Sequence, residues 1–241
     1  MRKPGKRSGW RLALPLAALL GLLLPLPRWG GTLDAFTRLP AQTLILDPGH
    51  GGEDGGAVSA SGVSESGINL AIALDADALL GFFGARVILT RAADVSIHDA
   101  GAETLREKKV SDLHNRTALI NETPNATLIS IHQNAAPDWR YRGAHVFYGD
   151  EVLSRPLART IQESVRRLLD PENRREPQRA AENIYLMNHI ACRAVLVECG
   201  FLSNPEEEKL LRDPAYQKKL AMILTAAYLT QGDAQEGESL I

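Results

Sequence analysis

Fifteen residues constrain this chain more than any others: Leu44-Ile-Leu-Asp-Pro-Gly-His-Gly-Gly-Glu-Asp-Gly-Gly-Ala-Val58. The apolar run predicts a buried strand over Thr43–Asp47, broken at Pro48 and followed by a glycine-rich loop with His50 at its tip. Ligands of open α/β sheets bind outside the carboxyl ends of the strands, so a histidine two or three residues past a strand end is placed for a site. Gly49, Gly51, Gly52, Gly55 and Gly56 let the backbone fold tightly around whatever His50 holds. The loop has neither the Gly-Lys-Ser/Thr of a P-loop nor the G-x-G-x-x-G of a dinucleotide fold. Taken alone, such a histidine is more often a structural loop residue than a ligand. The rest of the chain decides.

Strand and helix patterns alternate through the chain. Glu65–Gly81 reads as a helix after a Ser64 N-cap, with Ile68, Ile72, Leu79, Leu70, Leu74 and Ala78 on two adjoining faces. A strand follows at Arg86–Thr90, a polar loop at Ala92–Thr104 and a helix at Leu105–Asn121. Further strands are expected at Ala126–Ile131, Gly143–Gly149, Ile184–Met187 and Ala194–Val197. Further helices are expected at Val152–Leu169, Pro205–Arg212 and Pro214–Thr230, with an irregular charged stretch at Asp170–Glu182. This order predicts an α/β fold: a single layered domain with a largely parallel or mixed central sheet flanked by helices. The 241 residues suit one such domain, over residues 42–230, plus extensions.

The extensions differ in kind. Arg2, Lys3, Lys6, Arg7 and Arg11 precede an apolar run, Leu12–Leu26, and no acidic residue occurs before Asp34. That pattern makes residues 1–28 a signal peptide or signal anchor, with the body of the protein exported and an N-terminal membrane association open. Residues 29–41 read as a linker and residues 231–241 as a disordered tail. A net charge of -2 leaves no footprint for nucleic acid. Cys192 and Cys199 make neither a disulfide framework nor a four-thiolate metal site. Cys199 reads as a buried small hydrophobe, with a disulfide to Cys192 as the alternative.

Three apolar strands each lead to a residue capable of chemistry: to His50, to His132 and to Glu198. If the strands are parallel near-neighbours, all three groups emerge on one rim, which Glu65 can also face. Two imidazoles and a carboxylate match the His₂Glu set of catalytic zinc sites. A further carboxylate outside the metal set can move the proton that hydrolysis requires. Spacing does not say which carboxylate is which. Glu53 and Asp54 are nearer His50 than Glu65 is, and each has a plainer role: loop polarity for the first two, a helix N-terminal acid for the third. Glu198, directly after Val195-Leu196-Val197, is expected to be partly buried and in need of a partner or a metal. His98, His114, His145 and His189 are read as surface or packing residues.

At these motifs the chain resembles the zinc-dependent N-acetylmuramoyl-L-alanine amidases of the type 3 amidase family. The motifs are Asp47-Pro-Gly-His-Gly-Gly-Glu-Asp-Gly-Gly-Ala57, Glu65 with Asn69-Leu70, Ser130-Ile-His-Gln-Asn-Ala135 and Glu198-Cys-Gly-Phe-Leu-Ser-Asn-Pro205, within Thr43 to about Leu229. The resemblance implies that His50, Glu65 and His132 bind Zn²⁺, that Glu198 is the catalytic acid/base, and that peptidoglycan is the substrate. Asn69, Arg116 and Asn134 become candidates for holding substrate or orienting ligands. Arg106-Glu-Lys-Lys-Val-Ser-Asp-Leu113, Arg142-Gly-Ala-His-Val-Phe-Tyr148 and Ile184-Tyr-Leu-Met187 look like the germination-specific branch, which acts on spore cortex as the first step toward muramic δ-lactam. The Asp170–Glu182 loop is too short for the autoinhibitory helix of the cell-division amidases; an activating partner of another kind stays open. Rival readings are a different zinc peptidase acting on wall peptides and a non-catalytic wall-binding or regulatory homologue.

Overall fold

The computed structural model describes the backbone of residues 42–238 and side-chain surroundings within residues 42–230. The expected signal or anchor segment (1–28), the linker up to Ala41 and the last three residues of the tail lie outside the described residues. Among the described residues six strands form one sheet in the order β2-β1-β3-β6-β4-β5. They are β1 (Thr43–Pro48), β2 (Val87–Leu89), β3 (Ala126–Asn134), β4 (His145–Tyr148), β5 (Gln178–Arg179) and β6 (Arg193–Phe201). β2, β1, β3 and β6 run parallel, and β4 pairs antiparallel to β6, so the sheet is mixed.

β1 is buried at every position, as its near-continuous apolar sequence requires of a strand covered on both faces. Helices α1 (Glu65–Phe82), α3 (Arg155–Leu168) and α6 (Pro214–Glu238) cover one face. Leu44, Leu46, Ile129, Val195 and Val197 meet Ile72, Leu157, Ile161, Leu220 and Leu224 there. On the other face Ile45, Leu128 and Leu196 pack against Ile120 of α2 (Leu105–Glu122) and Leu186 of the single-turn α4 (Tyr185–Asn188). Each fully buried leucine or isoleucine contributes about 1.5–3 kcal/mol relative to exposure.

The structure corrects several expected boundaries. β3 and β6 run on through His132 and Glu198, because the β3–β6 ladder continues to Asn134 and Phe201 around a bulge. Ile184–Met187 is not a strand: residues 185–188 form α4, which caps the second core with Leu186 and Met187. A short apolar run does not by itself separate these two states. α3 begins at Arg155 rather than Val152, with a proline in its first turn, where a missing N–H is harmless. The charged stretch before α4 contains the two-residue β5. α6 continues past Thr230 to Glu238, into the segment expected to be disordered; no proline stops it, and Ala234, Gln235 and Glu236 favour helix. α5 (Pro205–Leu211) is capped by the Asn204 side chain, which accepts from the N–H groups of Glu206 and Glu207. Both cysteines are free thiols, and Cys199 is buried. Among the described residues no helix is long and apolar enough to cross a membrane.

Candidate metal and hydrolytic centre

The parallel register assembles the site. His132 on β3 is the direct partner of Glu198 on β6, so the two side chains leave the same face of adjacent strands. His50 follows β1, the other neighbour of β3, and Glu65 opens α1. Ligand atoms of His50, Glu65 and His132 lie within 4.8 Å of one another, and this group could hold a metal ion. The His50 Nε2 to Glu65 Oε1 distance is 2.7 Å, and His132 Nδ1 to Glu65 Oε2 is 3.9 Å. The two imidazole rings meet edge to face, with centroids 5.0 Å apart.

Backbone geometry explains why a proline and glycines surround these groups. His50 itself takes φ 61°, a left-handed conformation rare for a residue with a side chain. Gly49 serves a different need: a Cβ there would collide with the His132 ring. Gly56 has φ 69°, and a Cβ on it would collide with the Glu65 carboxylate. Glu65 is further fixed by the N–H groups of Ala57, at 3.0 Å, and Gln133, at 2.7 Å. Ser64 occupies the N-cap position without a side-chain capping bond.

Two buried arginines hold the strained turn. Arg91 donates to the carbonyls of Pro48, Gly49 and Ser66 at 2.8–3.0 Å. Arg116 donates to the carbonyls of Pro48, at 3.0 Å, and His50, at 2.8 Å, and to the carboxylates of Asp47, at 2.5 Å, and Asp112, at 2.6 Å. Asp47 resists the upward pull of burial because Arg116, Ser130 and Thr90 stabilise its charge, and its pKa falls to about 2. Arg116 is only 2% exposed, so its hydrogen bonds serve the loop rather than a substrate. Arg116→Met strands two buried carboxylates and is expected to cost about 3–5 kcal/mol in urea unfolding. A loss below about 1 kcal/mol contradicts this role.

Asn69, fully buried, donates to the Gly49 carbonyl at 3.2 Å and accepts from Gln133 Nε2 at 3.0 Å, so it too braces the turn. Asn134 sits half-buried beyond the β3 bulge, opposite Phe201 on the rim. Of the alternative carboxylates, Glu53 points away and pairs with Lys108 at 2.7 Å. Asp54 is the residue whose role spacing left unread. Its Oδ2 lies 2.9 Å from His50 Nδ1, and its Oδ1 lies 2.8 Å from Lys109 Nζ. An imidazole held this way presents its other nitrogen toward Glu65. The i, i+4 spacing across so glycine-rich a loop was the available signal. His145 packs within β4 near the Glu176 carbonyl, as a packing residue.

The titration of the four groups is divided. Burial pushes His132 down to about 4, which keeps it neutral. Burial also lowers His50, but its bonds to Asp54 and Glu65 win and raise it to about 9. Burial raises Glu65, yet the adjacent imidazoles overcome that and its pKa is lowered. Burial, helped by the Glu65 charge, lifts Glu198 to about 8. Glu198 Oε2 is buried with no hydrogen-bond partner among the described residues. It is a carboxyl group that can carry a proton near neutral pH and has an oxygen free for it.

A cation can replace the proton on His50. Because that pKa is raised, the protonated ion pair stabilises the metal-free protein below about pH 6.5 and is lost as pH rises through about 9. Apparent metal affinity is therefore expected to fall about tenfold per pH unit on acidification below pH 9. Metal titrations at pH 6.5, 7.5 and 8.5 measure this. A flat profile contradicts His50 as a ligand that must shed a proton.

An imidazole pair with one carboxylate, and a second carboxylate outside that set, matches one of the arrangements used by cation-dependent hydrolases. Comparison supplies the family. The model of the N-acetylmuramoyl-L-alanine amidase family matches residues 44–228, and the chain belongs to that family. It is 39% identical over 184 residues to the germination-specific N-acetylmuramoyl-L-alanine amidase of Bacillus subtilis, covering 76% of each chain. The probable cell wall amidase LytH of Staphylococcus epidermidis is 28% identical over 75% of this chain, which spans 55% of that protein's length. Among solved structures, the CwlD amidase of Clostridioides difficile, in complex with the GerS lipoprotein, has a TM-score of 0.75 and 40% identity. That match covers 79% of this chain and 99% of that one.

Proposed function

We propose that this protein is a zinc-dependent peptidoglycan amidase that cleaves the amide between the lactyl group of N-acetylmuramic acid and L-alanine. The observation that carries the proposal is the convergence of His50, Glu65 and His132 beside the unpartnered carboxyl oxygen of Glu198. The donor set fits zinc: two nitrogens and a carboxylate oxygen, with His132 neutral and His50, oriented by Asp54, giving a lone pair once the metal displaces its proton. Zinc held by these residues would supply a Lewis acid and lower the pKa of bound water toward neutrality.

The chain's own residues do the rest. Glu198 takes the proton from the attacking water and returns it to the nitrogen of L-alanine as the amide breaks. Burial disfavours the charged form, which makes the carboxylate a stronger base toward the water and lets it hold that proton until the leaving nitrogen takes it. Asp54 and Lys109 hold His50 in place. Asn69, Gln133, Arg91 and Arg116 hold the turn and the metal-binding carboxylate in place, so these four act by positioning. Of the three further candidates, Asn134 keeps the substrate role in this reading, because Asn69 and Arg116 are buried in bonds that hold the turn. The products are a lactyl carboxylate on the glycan and a free peptide.

Spore-cortex peptidoglycan is the proposed setting, supported by the likeness to the germination-specific enzyme and to CwlD. The same likeness supports an activating partner, because the CwlD structure is a complex with a lipoprotein. An exported protein attached or released at the membrane follows from the basic and apolar N-terminal sequence. End-group analysis of digested peptidoglycan tests the reaction. New N-terminal L-alanine supports it, and cleavage only within the peptides contradicts it.

A further inference from the structure

The rim beyond Glu198 carries two aromatic rings that the described residues leave open: Trp139 is 63% exposed and Tyr141 is 52% exposed. They belong to the loop from Ala135 to Gly143, which leaves β3, crosses the carboxyl end of β6 and enters β4. The loop is built rather than slack. The Ala136 N–H donates to Ser203 Oγ at 3.0 Å, and Asn204 Nδ2 donates to the Trp139 carbonyl at 3.0 Å. Asp138 accepts from the Arg140 N–H at 2.9 Å, and the Gly143 N–H donates to the buried Glu207 carboxylate at 2.9 Å. Tyr141 stacks on Phe201 with centroids 6.0 Å apart, and the Arg175 guanidinium lies 5.2 Å from the same ring.

A rigid loop that holds a tryptophan in water forgoes the burial such a ring normally gains. Its position gives a reason. Phe201 lies three residues after Glu198 on β6 but across the bulge, pairing with Asn134 only two residues past His132, so at about 3.3 Å per residue the stack stands about 7 Å beyond the acid/base along the strand. Resting on the amidase reading, we infer that the Trp139–Tyr141 loop is a glycan subsite, holding the polysaccharide next to the muramic acid being cleaved. The flat C–H face of a pyranose ring packs on an aromatic face, while its hydroxyl edge needs polar neighbours, here supplied by Arg142 and Arg175. The opposite flank of the centre suits the peptide instead. A cavity of about 270 Å³ runs from His50 and His132 between α2 and α4, lined by Leu113, Tyr185 and Leu186 with Lys109 at its edge.

The chain has three tryptophans, and two of them, Trp10 and Trp29, precede the domain. A full-length protein with Trp10→Phe and Trp29→Phe therefore reports on Trp139 alone. Titrating it with peptide-free glycan oligomers is expected to change its fluorescence saturably, whether or not the protein is catalytically active. In the otherwise wild-type chain, Trp139→Ala is expected to raise KM for glycan strands about tenfold more than KM for a single muramoyl-peptide unit, and Trp139→Phe to restore most of that difference. No fluorescence response to glycan, or a response only to lipid vesicles or to a protein partner, overturns the subsite. Equal KM changes for both substrates overturn it too. Failure of the unmutated protein to release L-alanine-terminated peptides would instead strike the amidase reading, which the binding titration does not use.

Discussion

Glu198→Gln is expected to lower turnover on peptidoglycan about 10²- to 10⁴-fold while metal uptake stays at the wild-type level. The amide has the shape of the carboxyl group but cannot accept a proton from water or carry one to the leaving nitrogen. Nothing in the group that could hold a metal is removed, since Glu198 lies outside His50, Glu65 and His132. The buried position also predicts that the fold tolerates the change: burial disfavours the charged form of Glu198, so an uncharged amide of the same shape costs the fold little. Turnover and bound zinc should be read on the same preparation. A variant that keeps full activity removes Glu198 from the chemistry, and one that loses metal along with activity moves it into the ligand set.

His132→Ala is expected to abolish stable zinc binding, weakening affinity by more than the 10- to 100-fold typical of losing a residue that merely supports a ligand. His132 sits near the carboxyl end of the β3–β6 ladder, whose backbone bonds do not depend on its side chain. The ring also fills the space over Gly49, so its loss opens a cavity beside the turn rather than unfolding the sheet. Isothermal titration with zinc, with circular dichroism to follow the fold, measures both effects. Wild-type zinc affinity in a folded His132→Ala protein contradicts the ligand assignment.

The layered sheet was legible because β1, β3 and β6 are apolar along their buried lengths and the helices keep their periodic faces. What sequence misplaced was where the chemistry sits on those strands. His132 and Glu198 were expected just past the strand ends, but polar residues can remain in a ladder whose backbone bonds continue past them, and here they pair with each other. Glu65 could not be separated from Glu53 and Asp54 by spacing, because the φ values of His50, Gly51, Gly52 and Gly56 decide which carboxylate the loop turns inward. For Arg116 the sequence left substrate contact and ligand orientation both open, and its burial favours the second. Its Asp112 partner four residues earlier on α2 was the local sign of an internal ion pair, whereas its bond to Asp47 spans 69 positions and only the fold shows it. α4 was misread as a strand because four apolar residues fit either period.

The most direct test of the central claim is zinc content and product identity measured together on the purified full-length protein incubated with intact peptidoglycan. Close to one zinc per chain is expected, with activity that disappears on chelation and returns with zinc, and released peptides that begin with L-alanine. Hydrolysis that persists unchanged after zinc is removed, or peptides released with any other N-terminus, would contradict it.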